Sequence, residues 1–429
     1  MSSPAFSRLL LAAIAALTAA GSAVAADVHL GVATCASSTC HGAAKPATSG
    51  NIEGNEYVTW SRFDPHAGAY AVLLEGRSRV MARRLGIAAP EQSAECLGCH
   101  TDNQPAAARG PRFQLDDGVG CEACHGGAPD WVVGHDDRGE GVRIASLARG
   151  MTDLTDAATR AGICVACHVG GERGFASHRL MAAGHPRLGF ELDTFTELWR
   201  TSGGRAHYRP DADYARRKPT PGAAQVWASG LAAAALAHAE LISVRYGGQG
   251  PFPDFALFNC YSCHRTMKLA DWRDRRTPTN GDPGALRFDD SSLTMLVTAL
   301  GNRTAERGGL QRDIAALQEA SSRSGADVRE AASRLSSTLR DVAGALEKKP
   351  LTAGEAEAAL GALASAAAGG AYPDYTRAEQ AAMGVAVLAT STGKAARNRK
   401  AIDALFAALE DDERYDPRRF GAALQALGR

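Results

Sequence analysis

The residues with the most chemistry in this sequence are its ten cysteines, and all of them fall in pairs: Cys35/Cys40, Cys96/Cys99, Cys121/Cys124, Cys164/Cys167 and Cys260/Cys263. The residue after each pair is a histidine: His41, His100, His125, His168 and His264. Two nearby thiols followed directly by an imidazole make the C-x-x-C-H signature of covalent haem attachment. The thiols join the two vinyl groups of one porphyrin, and the imidazole binds its iron as the proximal ligand. The first pair departs from this spacing, with four residues between Cys35 and Cys40. Small, flexible Ala36, Ser37, Ser38 and Thr39 suit a bulged loop whose ends still reach one porphyrin, so five haem c groups, each with its iron, are expected. Disulfides, zinc knuckles or redox dithiols would use the cysteines but leave the five trailing histidines unexplained.

Seven histidines stand outside the motifs: His29, His66, His135, His178, His185, His207 and His238. A second imidazole closes a haem iron, which then changes oxidation state with little reorganisation and offers no position to a substrate. His29 before Cys35, His66 after Asp64-Pro65, His135 downstream of the third motif, and His178 and His185 in Ser-His-Arg-Leu-Met-Ala-Ala-Gly-His-Pro are the candidate distal ligands. His207 lies in a basic loop and His238 in mid-helix among alanines, and neither is placed in that set. No residue is assigned a catalytic role.

The elements that position these residues divide by composition. Residues 1–25 carry Arg8, an apolar run from Leu9 to Ala20 and Ala23-Val24-Ala25, the layout of a cleaved secretory signal. The mature chain is expected to begin near Ala26 and to be soluble in the periplasm, where bacterial c-type haems are attached. The leader run is too short to span a bilayer, and no later run reaches the roughly 18–20 apolar residues that spanning needs. The 47 basic and 47 acidic residues cancel, which leaves no field for nucleic acid or membrane. Haem propionates would make the holoprotein acidic, and Arg200, Arg205, Arg209, Arg216, Arg217 and Lys218 are read as their compensation.

Every cysteine, histidine and tryptophan precedes residue 273, so residues 26–288 are expected to form a pentahaem cytochrome c domain. Its fold class is mainly α with extensive loops, built around the haems. Helices are predicted from Asp64-Pro65 to Gly86, from near Pro186 with Leu188, Leu192, Phe195 and Trp199 on one face, and over 225–246. Residues 289–429 are expected to form an all-α bundle, with segments near 291–300, 308–321, 325–347, 353–368, 376–392, 395–411 and 416–427. It has no haem ligand, which makes it a cover, a docking platform or an oligomer interface.

The first motif is followed by Trp60-Ser61, His66-Ala67, Cys96-Leu97-Gly98-Cys99-His100, Gly120-Cys121-Glu122-Ala123-Cys124-His125-Gly126, His135 and Cys164-Val165-Ala166-Cys167-His168. This order resembles the cytochrome c-554 family over roughly residues 30–190. The resemblance implies closely stacked haems that pass electrons, and supports His66 and His135 as distal ligands. The chain departs from the tetrahaem pattern in its long first spacer, its motif at Cys260 and its C-terminal helices. The expected function is electron transfer between a quinol-linked donor and a terminal acceptor or reductase. Two other readings are an oxidoreductase with one open haem, acting on a small nitrogen or sulfur compound with help from Arg179 or Arg187, and a structural subunit of a larger redox complex.

Overall fold

The computed structural model describes residues 28–47, 53–137, 141–171, 174–201, 208, 211–246, 253–264 and 286–427, leaving aside the side chains of 198–201 and 213. The leader, His207, Arg205, Arg209 and the side chains of Trp199 and Arg200 lie outside the described residues. Within them the chain is mainly helical with long loops and has no strand; the β contacts are two isolated bridges, His29 with Arg109 and Phe258 with Phe288.

The cysteine-rich part uses short helices: α1 (Glu56–Phe63), α2 (Gly76–Leu85), α3 (Ala94–His100), α4 (Glu122–His125), α5 (Gly141–Ala148), α6 (Ala157–His168), α7 (His178–Ala182), α8 (Leu192–Thr201) and α9 (Ala212–Arg217). The predicted helix from Asp64-Pro65 to Gly86 is broken into the 3₁₀ turns Pro65–Gly68 and Ala71–Leu74 and then α2. Its carbonyls are taken by other partners: His66 O accepts from Val119 N, Ala69 O from the His100 ring and Val72 O from Ser78 Oγ. An α-helix needs those carbonyls for its own ladder. The cap prediction holds locally, since Asp64 Oδ1 accepts from His66 N at 2.9 Å. The helix expected from Pro186 begins instead at Leu192, where the buried Glu191 carboxylate caps Asp193 N and Thr194 N.

The remaining helices are longer: α10 (Ala223–Arg245), α11 (Ser291–Leu300), α12 (Thr304–Ala320), α13 (Gly325–Lys348), α14 (Ala353–Ala366), α15 (Tyr375–Ser391), α16 (Ala395–Ala407) and α17 (Pro417–Gln425). Each lies over a segment predicted from apolar spacing. By length and composition α10 could cross a membrane, but 72% of its apolar window is buried inside the protein. It forms the axis of the C-terminal core, packing against α11, α13 and α15, while another side meets α6 and α8. Small residues permit this. A Cβ on Gly384 of α15 would come within 2.9 Å of the Trp227 ring of α10, so the two backbones approach only because Gly384 has none.

The larger hydrophobic cluster runs from Ala224 through Leu257, Phe258 and Phe288 to Leu424, and so crosses the expected boundary near residue 288. Polar ties reinforce the crossing: Gln225 Nε2 donates to Leu346 O at 3.1 Å and Asn259 Nδ2 to Thr376 Oγ1 at 3.3 Å, and others lie beyond the boundary. Arg377 of α15 makes a bidentate ion pair with Asp290, at 2.6 and 2.8 Å, with both side chains buried. Thr352 and Glu355 form a capping box on α14, and Glu355 also receives Arg303 at 2.8 Å.

Candidate functional site

Three of the five motifs end a helix on their histidine. Cys96, Cys99 and His100 close α3, Cys124 and His125 close α4, and Cys164, Cys167 and His168 close α6. Residues i, i+3 and i+4 share one face of a helix, so the two thiols and the imidazole emerge together. The fifth motif differs. Cys260–Ser262 form a 3₁₀ turn, Cys263 N bonds Cys260 O at 3.2 Å just past it, and His264 N bonds the same carbonyl at 2.8 Å. The two thiols expected to hold the fifth haem are therefore unequally placed: Cys260 is partly buried, whereas Cys263 is exposed. The identical spacing of the motifs conceals this difference in exposure.

The long first motif closes by a loop: His41 N meets Cys35 O at 3.3 Å and Gly42 N meets Ser37 O at 2.8 Å. The chain folds back so tightly that a Cβ on Gly42 would lie 2.0 Å from Ala36 O. Cys40, on this loop, is exposed as Cys263 is, and Cys35 is partly buried.

Four motif histidines face a histidine from outside the motifs. The ring centres of His41 and His135 are 6.1 Å apart, those of His168 and His66 6.1 Å, those of His100 and His185 6.4 Å, and those of His264 and His178 6.2 Å. A metal–imidazole bond of about 2 Å on each side of one metal atom, plus the depth of each ring, spans about 6 Å. Interplanar angles from 26° to 87° are compatible with this, because each ring turns about its own metal bond.

The fifth candidate, His29, is buried beside the third motif. Leu30 N and Gly31 N donate to the Glu122 carboxylate at 2.8 and 2.7 Å, which ties the segment after His29 to the helix that ends on His125. His29 Nδ1 bonds Asp102 Oδ2 at 2.6 Å.

Six of these rings use Nδ1 in the same way. His41 Nδ1 bonds Glu56 at 2.9 Å, His66 Asp64 at 2.9 Å and His29 Asp102. His100 Nδ1 bonds Ala69 O at 2.8 Å, His135 Val132 O at 2.5 Å and His185 Pro186 O at 2.8 Å. Donation by Nδ1–H fixes the tautomer that leaves the Nε2 lone pair for a metal; at His29 that lone pair accepts from Gln104 Nε2 at 3.3 Å. The Glu56 hydrogen bond holds His41 above its ordinary value. At His66 burial works downward, but the Asp64 hydrogen bond and charge outweigh it. Burial and the nearby His66 push His168 down to about 4, so its imidazole is neutral. Burial also drives the Cys124 thiol up to about 12 and Cys164 up to about 11. Both residues are partly buried, in contrast to the exposed Cys40 and Cys263.

Thiols of different motifs meet as well: Cys35 and Cys121 share a hydrogen bond, which lowers the first and raises the second. Between the fourth and fifth motifs lies an open cavity of about 120 Å³ lined by His168, Phe190, His238, Cys260, Thr376 and Gln380. Two buried polar atoms on residues of its wall, His238 Nε2 and Gln380 Oε1, have no protein partner. Unpartnered buried polar atoms call for an occupant. With the four facing histidine pairs at 6.1–6.4 Å, the residues present fit haem c.

Sequence reasoning missed the ring partners Glu56 and Asp102 and the wall supplied by Thr376 and Gln380. Asp64 is legible as a helix cap, but its bond to the His66 ring is not. His238, set aside as a mid-helix residue, belongs to the cavity beside Cys260. Arg187 pairs with Glu379 at 2.9 Å, and Arg179 reaches Leu85 O and Glu95. Lys218 lies over the Tyr214 ring.

Paired thiols and trailing imidazoles on short helices and turns, with motif histidines facing histidines from outside the motifs, define a c-type cytochrome, a class that binds haem covalently and transfers electrons. Residues 34–126 match the family model of cytochrome c554 and c-prime, and the protein is cytochrome c-554-like over that segment. No curated protein and no solved structure matches the chain.

Proposed function

We propose that this protein is a periplasmic electron carrier with five covalent haem c groups, mostly bis-histidine ligated, working between a quinol-linked donor and a terminal acceptor or reductase. The observation that carries the reading is the set of four histidine pairs at 6.1–6.4 Å, each joining one motif histidine to one outside the motifs. When bound, the haem iron supplies a one-electron ferric/ferrous couple. The proximal ligands are His41, His100, His125, His168 and His264. Their distal partners are His135 for His41, His185 for His100, His66 for His168 and His178 for His264. His29 is assigned to His125 by elimination, a reading supported by the Leu30 and Gly31 bonds to Glu122 on the helix that ends at His125.

The chain's residues keep these positions closed. Each ring bonded through Nδ1 is fixed in orientation, so an outside ligand must displace an imidazole anchored to the backbone. The Cys35–Cys121 contact supports close approach of the first and third sites, and the cavity shared by His168 and Cys260 supports that of the fourth and fifth. Carbon monoxide added to the reduced protein should bind slowly and well below one molecule per chain. Rapid binding of one equivalent, together with turnover of nitrite, hydroxylamine, sulfite or tetrathionate, would replace the carrier by an oxidoreductase with an open haem.

A further inference from the structure

The Nδ1 partners of the paired histidines are of two kinds. His41 and His66 donate to carboxylates, Glu56 and Asp64, each at 2.9 Å. His100 and His185, which face one another, both donate to main-chain carbonyls, Ala69 O and Pro186 O, each at 2.8 Å. The surroundings extend the contrast. Glu56 is anchored by Glu53 N at 2.8 Å and Gly54 N at 3.1 Å, and Asp64 by His66 N at 2.9 Å, so both carboxylates are held in place. Around the His100–His185 pair two guanidinium groups bind the loop that carries His185, Arg77 Nη2 donating to Gly184 O at 2.9 Å and Arg84 Nη1 to Ala183 O at 3.0 Å, while the Glu95 carboxylate beside Cys96 is paired with Arg179 at 3.4 Å.

A carboxylate accepting from Nδ1–H makes Nε2 a stronger donor and places negative charge behind the iron. Both effects favour the ferric state, whereas a neutral carbonyl and nearby guanidinium groups do so less. We propose that Glu56 and Asp64 are positioning residues that set potential. Through His41 and His66 they hold the haems at Cys35 and Cys164 at lower potentials than the haem at Cys96, which is reduced first of the three. This rests on the ligand pairs proposed above.

Two conservative variants test it by spectropotentiometry of the full-length, haem-loaded protein. Glu56→Gln and Asp64→Asn keep an oxygen to accept from Nδ1 but remove the charge. Each should shift one midpoint potential upward, leave the potential of the Cys96 haem in place, and keep five low-spin haems. Arg77→Gln should move the Cys96 potential downward. Unchanged potentials in both carboxylate variants, with all haems low-spin, would overturn the assignment of potential to these residues. High-spin iron in the unaltered protein would point instead to failure of the ligand pairs, which separates the two ideas. Should one variant fail to mature, the other two decide.

Discussion

The two halves of this molecule are built on different physical principles. From Ala224 onward long helices bury a continuous cluster of Ala, Leu, Val, Phe and Met side chains, and the helices hold one another. Before that point helices of 4–12 residues are joined by loops, and their compact hydrophobic cluster gathers mainly around α6, α8 and one side of α10. What fixes the cysteine-rich half is a set of polar contacts to main-chain atoms, such as Glu122 holding Leu30, Gly31 and Ala128. A half with so little apolar packing of its own needs prosthetic groups as its interior. A half that packs on itself can serve as its wall.

The largest effect should come from withholding haem. Chain exported without cytochrome maturation should lose protease resistance in helices α1 to α8 and keep it in α10 to α17. The check is limited proteolysis with mass mapping, and equal resistance of both parts would remove the contrast. Next in size is a break inside the self-packed half. Arg377→Ala leaves Asp290 buried without its partner and should cost about 3–5 kcal/mol in urea unfolding, as buried pairs do when one member is lost. The haem spectrum below the unfolding midpoint should not change.

How much of each half is legible in the sequence follows from the same difference. Helices α11 to α17 fall on the segments that apolar spacing marks, because side-chain packing positions them. The stretch from Pro65 to Leu85 misleads, because its carbonyls at His66, Ala69 and Val72 go to Val119, His100 and Ser78, which spacing cannot reveal. Motif residues are legible because two thiols and an imidazole of fixed spacing have one shared use. Their surroundings are less so: Cys263 has the spacing of Cys99 and Cys167, yet it follows a 3₁₀ turn and is exposed, where those two are partly buried. The ring partners Glu56 and Asp102 are hidden too, since each is placed by the path of the chain. The wall of the cavity at Cys260 is hidden for another reason: Gln380 is 120 residues downstream of that cysteine.

A smaller and more local effect sharpens the comparison. His66→Ala should turn one haem from low-spin to high-spin and leave the haem count at five, since attachment needs the cysteines and the distal imidazole arrives with folding. His238→Ala, on the cavity wall, should leave every haem low-spin. Electron paramagnetic resonance of the oxidised proteins distinguishes these outcomes, and an unchanged His66→Ala spectrum would move that ligand role to another histidine.

The claim beneath all of this is that every cysteine pair carries a haem, including the pair with the long spacer whose loop closes over Gly42 and the pair whose second thiol, Cys263, is exposed. The intact mass of the matured, denatured protein tests it most directly. Five added haems, with Cys35, Cys40, Cys260 and Cys263 all resistant to alkylation, is the expected result. A mass with four haems, and both cysteines of either pair alkylated, would contradict it.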